Sequence, residues 1–272
     1  MLKLCKDLSG HWELLLILVE RNIKIRYKNS ALGFFWTLLG PIFLICIYAT
    51  FLRLLKVPMD LPSLVTGIIA WQFLSMCMGD SLYAIMGNAN LVTKASFPRI
   101  ILPGAMVLAN TVNFLLSMAV LVVYLLIVKA SFGLVIFLPL IILTQFALCL
   151  GMALIISSMN VFFRDTEHVL STIMLAWFFL TPVVYEIWYV MPTATEILGP
   201  SAPYLFFANP MTGILAAYRW VFLSAGADSW HLVSAKTQGW HLILLSTVIS
   251  WVVLLIGTIV FKKAEPKFGD AL

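Results

Sequence analysis

The sequence predicts an all-α integral membrane protein, with six membrane-spanning helices preceded by an amphipathic helix lying on the membrane surface. Three observations carry this. The 272 residues are 62% hydrophobic and only 11% charged, whereas soluble domains run at about 45–50% apolar and about 25% charged. Uncharged runs recur at lengths that suit a bilayer. Ala31 to Leu52 holds no charged residue, and a helix of that length spans roughly 33 Å against a hydrocarbon core of about 30 Å. Finally, the cations gather at span ends. The length suits one membrane domain, with residues 1–30 as a surface helix and basic segment and 31–272 as the transmembrane part.

Residues 3–28 read as the surface helix. Leu4, Leu8, Trp12, Leu15, Val19 and Ile23 recur at steps of three and four, while Asp7, Glu13, Glu20, Arg21 and Lys24 supply a polar face. Such a stripe lies in the interface rather than across it. Ser9-Gly10 is a candidate break. The apolar run Leu14 to Val19 is too short, and lacks the small-residue site, for a signal peptide. Arg21, Lys24, Arg26 and Lys28 then form a basic collar just before the first uncharged run. A collar of this kind fixes orientation, and it also suits an anionic ligand at the headgroup layer.

The expected spans are about 31–52, 63–86, 100–128, 135–159, 168–185 and 240–261. Pro41 lies inside the first and is a candidate kink. Asp80 lies toward the inner end of the second. A carboxylate in a span is a functional candidate, unless it reaches the headgroup layer or a neighbouring helix. Between spans two and three, Asn88 can cap a short helix that Pro98 stops. Asp165 opens the fifth span, where the helix dipole favours a carboxylate by about 0.3–1 kcal/mol. Arg164 closes the fourth at the headgroup layer.

Asn209-Pro210 opens a further helix, with asparagine as cap and proline in the first turn. As a span, Met211 to Leu223 would be short and would bury Arg219, at a cost of about 2.5–3.5 kcal/mol; a half-inserted helix is the better reading. With six spans, the Lys and Arg residues divide twelve inside to five outside; a seventh span would make it ten to six, with Arg219 buried. The positive-inside rule therefore favours six spans, with both termini cytoplasmic.

Several chemistries are excluded. No Gly-x-x-x-x-Gly-Lys-Ser/Thr loop is present, so ATP binding of the P-loop kind is absent from this chain. Cys46, Cys77 and Cys149 sit in apolar spans without metal-ligand spacing and read as small hydrophobes. His168 stands alone, without a ligand partner at metal spacing. The cations follow membrane edges rather than one soluble face, against nucleic-acid binding. A membrane-embedded glycan-modifying enzyme would need catalytic acids at the membrane edge, where only Asp80, Asp165, Glu167 and Glu186 stand. A proton-coupled secondary transporter would need ionisable residues deeper in the spans.

Three motifs carry a resemblance. RYKNSALGFFWTLLGP, residues 26–41, resembles the entrance motif of ABC-2 type permeases that export O-antigen, teichoic acid or capsule polysaccharide: Arg26, Tyr27, Ser30, Leu32, Gly33, Trp36 and Pro41 fill its places. Asn160-Val-Phe-Phe-Arg-Asp165 and Thr181-Pro-Val-Val-Tyr185 resemble two further motifs of that family. The resemblance runs along nearly the whole chain, except for the polar stretch 224–239.

The resemblance implies a homodimeric transport subunit of the bacterial inner membrane. It implies two copies of a separate ATPase, which would bind ATP and Mg; this chain needs no cofactor of its own. The implied cargo is a glycan on an undecaprenyl diphosphate lipid, O-antigen first, with teichoic acid, capsule, or a lipid or drug as alternatives. It also implies roles. Arg26, Tyr27, Lys28, Ser30 and Gly33 would form the entrance for the lipid diphosphate. Asn88, Leu91, Lys94, Phe97, Arg99, Arg164 and Asp165 would couple to the ATPase. Trp71, Phe73, Trp177, Phe178, Tyr185, Asn209 and Pro210 would line the channel or its gate, with paired re-entrant helices closing the outer mouth.

Overall fold

The computed structural model describes residues 10–28, 35–56, 59–94, 97–130, 132–133, 135–223 and 240–272. Ser30, Gly33, the start of the surface helix and the stretch 224–239 fall outside this set. The described residues form helices joined by turns and short irregular stretches, without strands. We label the helices α1 (Trp12–Tyr27), α2 (Phe35–Leu54), α3 (Leu61–Met86), α4 (Ala89–Lys94), α5 (Ile101–Ile127), α6 (Leu138–Phe162), α7 (Thr166–Leu180), α8 (Ile187–Leu198), α9 (Ala202–Ala208), α10 (Pro210–Phe222), α11 (Trp240–Ala264) and α12 (Phe268–Ala271).

Among the described residues, four helical stretches are long and apolar enough to cross a membrane: Leu61–Met86, Ile101–Ile127, Val135–Phe162 and His241–Lys267. The apolar parts of two others, Leu39–Leu54 and Thr166–Leu180, are shorter. The expected fifth span thus ends earlier than its hydropathy suggested. Thr181-Pro182 follows α7 directly, and the Thr181 backbone is already extended, because the residue before a proline is pushed out of the helical region.

α3 is the centre of the bundle. It packs on α5 and α6, and also touches α2, α7 and α10. Its residues Leu64, Ile68, Phe73, Leu74, Cys77, Met78 and Ile85 are all buried. The closest helix pair is α6 with α11, and small residues explain it. A Cβ on Gly151 would lie 2.6 Å from the backbone nitrogen of Leu254, and one on Gly257 would fall on the Gly151 carbonyl. Between lipid-embedded helices there is little hydrophobic driving force, so such close backbone approach supplies the packing. Gly213 of α10 meets the Ser246 side chain of α11 in the same way.

Polar side chains bind the bundle internally. Gln145 of α6 donates to the Ala70 carbonyl at 2.7 Å and accepts from the Tyr218 hydroxyl of α10 at 2.9 Å. Asn160 donates to the Leu82 carbonyl at 2.7 Å. These groups are buried, where an unpaired amide is costly, so each fixes one relative placement of two helices.

The described part of the expected α1 stripe turns mostly toward the bundle, with Leu15 buried and Val19 and Ile23 half-buried. Leu15 and Leu18 are the buried positions, packed toward α5, whereas Trp12, on the predicted stripe, is 55% exposed. Leu16, Ile17 and Ile25 are also exposed. α1 therefore has two apolar faces, one on the bundle and one free, and periodicity alone did not separate them.

Candidate functional site

Polar contacts fasten the C-terminal half of α1 to the bundle. Arg21 Nη2 donates to Asn88 Oδ1 at 2.7 Å. Arg26 is ion-paired with Asp80, and the same carboxylate oxygen accepts from Asn110 Nδ2 at 2.7 Å. The Tyr27 hydroxyl donates to Asn113 Oδ1 at 2.9 Å. Asp80 thus reaches a neighbouring helix, one of the alternatives left open by the sequence. Asn110 and Asn113, on one face of α5, were not singled out from the sequence. Their signal was two amides three positions apart in an otherwise apolar span.

An open groove of about 700 Å³ runs beside α1, lined among others by Arg21, Lys24, Tyr27 and Lys28. Lys28 is exposed at its end. Lys24 pairs with Glu20 at 2.5 Å, and that hydrogen bond, aided by the lysine charge, holds the Glu20 carboxyl below its ordinary range. The groove's described lining comes from α1 alone, where Arg21, Lys24 and Lys28 outnumber Glu20 and stand beside Ile17, Ile23 and Ile25.

The expected coupling residues gather at the same end of the bundle. α4 is only six residues long. Asn88 does not cap it through its side chain: the amide donates back to the Ala84 carbonyl at 2.9 Å and accepts from Arg21. This corrects the expected cap, since the last turn of α3 and the guanidinium outbid the α4 amides for the same group. Lys94 is exposed, while Leu91 and Phe97 are half-buried. Arg99 is held within the chain, donating through Nη1 to the Glu265 carbonyl at 2.6 Å and through its backbone N–H to Glu265 Oε1 at 2.9 Å. Arg164 and Asp165 are exposed between α6 and α7, and Asp165 stands at the α7 N-cap position without a side-chain cap bond. Next to them, Tyr83 donates to Glu167 Oε2 at 2.6 Å. Phe268 of α12 packs against Phe162 and Phe261.

The opposite end holds the expected channel and gate residues. Asn209 caps α10, its side chain accepting from the Met211 N–H at 3.1 Å with Pro210 in the first turn, as the sequence predicted. The same side chain accepts from Trp177 Nε1 at 2.9 Å and donates to Thr181 Oγ1 at 2.8 Å. Trp177 and Phe178 make edge contacts with Trp71 at 6.0 and 5.4 Å. Phe73 departs from this group. It is 2% exposed and stacks on Phe114 at 4.6 Å, on the other side of α3, because positions two apart on a helix face nearly opposite ways.

Arg219 is 8% exposed, and it is not unpaired. Its Nη2 donates to the Val183 carbonyl at 3.0 Å and its Nη1 lies 3.5 Å from Glu186 Oε2. Ser63 at the start of α3 also donates to Glu186. The cost expected for burying Arg219 is thereby offset, and α10 packs against α11, α6 and α3 with Arg219 inside. Tyr185 is half-buried beside it, and its carbonyl accepts from Arg219 Nη1 at 3.4 Å. Glu186 was weighed only as a possible acid, and its pairing with Arg219 was missed.

These features define a class: a helical protein with bilayer-length apolar helices built around α3, with a cationic groove at one end and an aromatic, asparagine-latched cluster at the other. A family model for the ABC-2 type transporter matches residues 13–223, and the chain belongs to that family. Over 232 residues it is 31% identical to an O-antigen export system permease protein RfbA of Myxococcus xanthus, covering 82% of this chain and 85% of that one. It is also similar to two proteins of the same name from Klebsiella pneumoniae. One is 28% identical over 82% of this chain and 85% of the relative; the other is 24% identical over 100% and 99%.

Proposed function

We propose that this chain is the transmembrane subunit of an ATP-driven exporter that moves an undecaprenyl-diphosphate-linked polysaccharide, an O-antigen, across the bacterial inner membrane. The observation that carries the reading is similarity over most or all of the chain to permeases named for O-antigen export. Those names favour O-antigen over teichoic acid, capsule, or a lipid or drug.

The subunit crosses the membrane six times, α2 and α7 completing the set begun by the four longer helices. Both termini are cytoplasmic, as the charge division favours. α9 and α10 re-enter from the outer side and close the mouth. The subunit works as a homodimer. α2 and α7 turn large apolar side chains outward, among them Phe43, Ile47, Phe51, Ile173 and Phe179, and they are suited to face a second copy. The ATPase, which carries ATP and Mg, docks on α4, Phe97 and the Arg164-Asp165 turn. Trp177, Phe178 and Tyr185, all half-buried, offer ring faces for sugars along the path, with Trp71 buried behind Trp177 and Phe178.

The lipid diphosphate enters beside α1, where Arg26, Tyr27 and Lys28, with Ser30 and Gly33 following, hold it at headgroup depth. Its charge keeps it out of hydrocarbon, so the entrance needs cations at that depth. Arginine binds phosphate through two parallel hydrogen bonds, and lysine acts as a point charge. The test is glycan export in Arg26→Lys and Lys28→Gln variants that insert and assemble normally. Reduced export with lipid-linked glycan accumulating inside is expected. Full export by both would leave the collar as an orientation signal alone.

A further inference from the structure

The partner that Arg26 already has points to a selectivity device. Arg26 and Asp80 are both partly open to the surroundings, at 24% and 35% side-chain exposure. Arg26 Nη1 is buried without a hydrogen-bond partner, while Nη2 is the nitrogen that meets Asp80. An incoming anion therefore approaches the edge of the guanidinium that the carboxylate occupies. Asp80 is in turn aimed by Asn110 at 2.7 Å. Asn110 is 1% exposed, so it holds the carboxylate from a fixed position.

We propose that Asp80 is a specificity-determining residue of the lipid-headgroup entrance: it occupies Arg26 as an internal anion that a prenyl diphosphate displaces and a prenyl monophosphate does not. This rests on the reading of Arg26 as a diphosphate ligand. The reason is competition. A carboxylate tethered next to its cation competes at high effective concentration. A ligand wins only with more charge and more acceptor oxygens than the carboxylate offers. A diphosphate has both; a monophosphate gains less at the same arginine. Asp80 thus weakens binding of every anion by a common factor, and the weaker ones fall below the concentration at which they would occupy the entrance.

The test measures binding of undecaprenyl diphosphate and undecaprenyl phosphate to the full-length chain in nanodiscs. The wild type should prefer the diphosphate. Asp80→Asn should bind both lipids about fivefold more tightly, near 1 kcal/mol, so that the monophosphate now fills the entrance at concentrations where the wild type takes up only the diphosphate. Asn110→Ala, which keeps every charge but frees the carboxylate, should move both affinities the same way by less. Damage to the fold lowers binding, so a gain in affinity separates this role from a structural one. Should Asp80→Asn not fold, Asn110→Ala decides. If Arg26→Gln loses diphosphate binding while the variants at Asp80 and Asn110 bind no tighter than wild type, the selectivity role is wrong and the entrance stands. If Arg26→Gln binds as wild type does, the entrance itself is wrong.

Discussion

The indole nitrogen of Trp177 lies 2.9 Å from the side-chain oxygen of Asn209, joining α7 to the first turn of α10. The same asparagine caps α10 and holds Thr181, so one side chain serves three partners. Asn209→Ala removes the cap and leaves the indole N–H without its acceptor. We expect a loss of about 1–2 kcal/mol, read as a lower thermal midpoint of the detergent-solubilised protein. Asn209→Asp keeps the acceptor oxygens and should retain more of the stability. Equal losses in both would show that acceptance from Trp177 and Met211 is not what matters.

The Arg219–Glu186 pair predicts a larger effect. Removing one member of a buried pair leaves the other uncompensated, at a typical cost of about 3–5 kcal/mol. Arg219→Met should therefore greatly reduce the yield of monodisperse protein, with Glu186→Gln milder because Glu186 is the more exposed partner, at 17% against 9%. The double variant should recover part of the loss in size-exclusion profiles. A double variant worse than Arg219→Met would argue against the pairing.

Glycine packing predicts failures of another kind. Gly151→Leu and Gly257→Leu each force backbones apart where α6 meets α11. Overpacking costs about 1–3 kcal/mol or more. Gly79, around which no atom lies within 4 Å of the Cβ position, is the control: Gly79→Ala should leave the thermal midpoint unchanged or slightly raised, since alanine favours the helix by about 1 kcal/mol. A Gly257→Leu protein melting at the wild-type temperature would contradict the close approach.

Topology can be read with single cysteines after Cys5, Cys46, Cys77 and Cys149 are replaced. Ser201 and Thr93 are both exposed, one beside α9 and one on α4. Ser201→Cys should react with an impermeant thiol reagent in outer-permeabilised cells, and Thr93→Cys only after the inner membrane is opened. The reverse order would invert the protein.

Docking of the ATPase is best tested at Lys94, which is exposed. Lys94→Glu should weaken co-purification of the two subunits or uncouple ATP hydrolysis from export. Arg99→Glu is a poorer probe, because Arg99 is already bound to Glu265 and its reversal disturbs the C-terminal tail. Unaltered assembly and coupling in Lys94→Glu and in Leu91→Asp would remove the α4 interface.

Local chemistry made the helices legible in the sequence. Where the second span is expected, at 63–86, a helix runs Leu61–Met86, and where the third is expected, at 100–128, a helix runs Ile101–Ile127. Uncharged length, prolines and the Asn209-Pro210 start are properties of neighbouring residues, so the chain alone determined them. The rotation of each helix about its own axis was decided only by the tertiary structure. A span that is apolar all round carries no amphipathic signal, so nothing in the sequence told Phe73 from Trp71 or showed which way Asp80 turned. Arg26 finds Asp80 across 54 residues, and Arg219 reaches the Val183 carbonyl across 36. Those pairings exist because buried charges and amides must be satisfied inside the protein, and the partner within reach is fixed by how the helices pack.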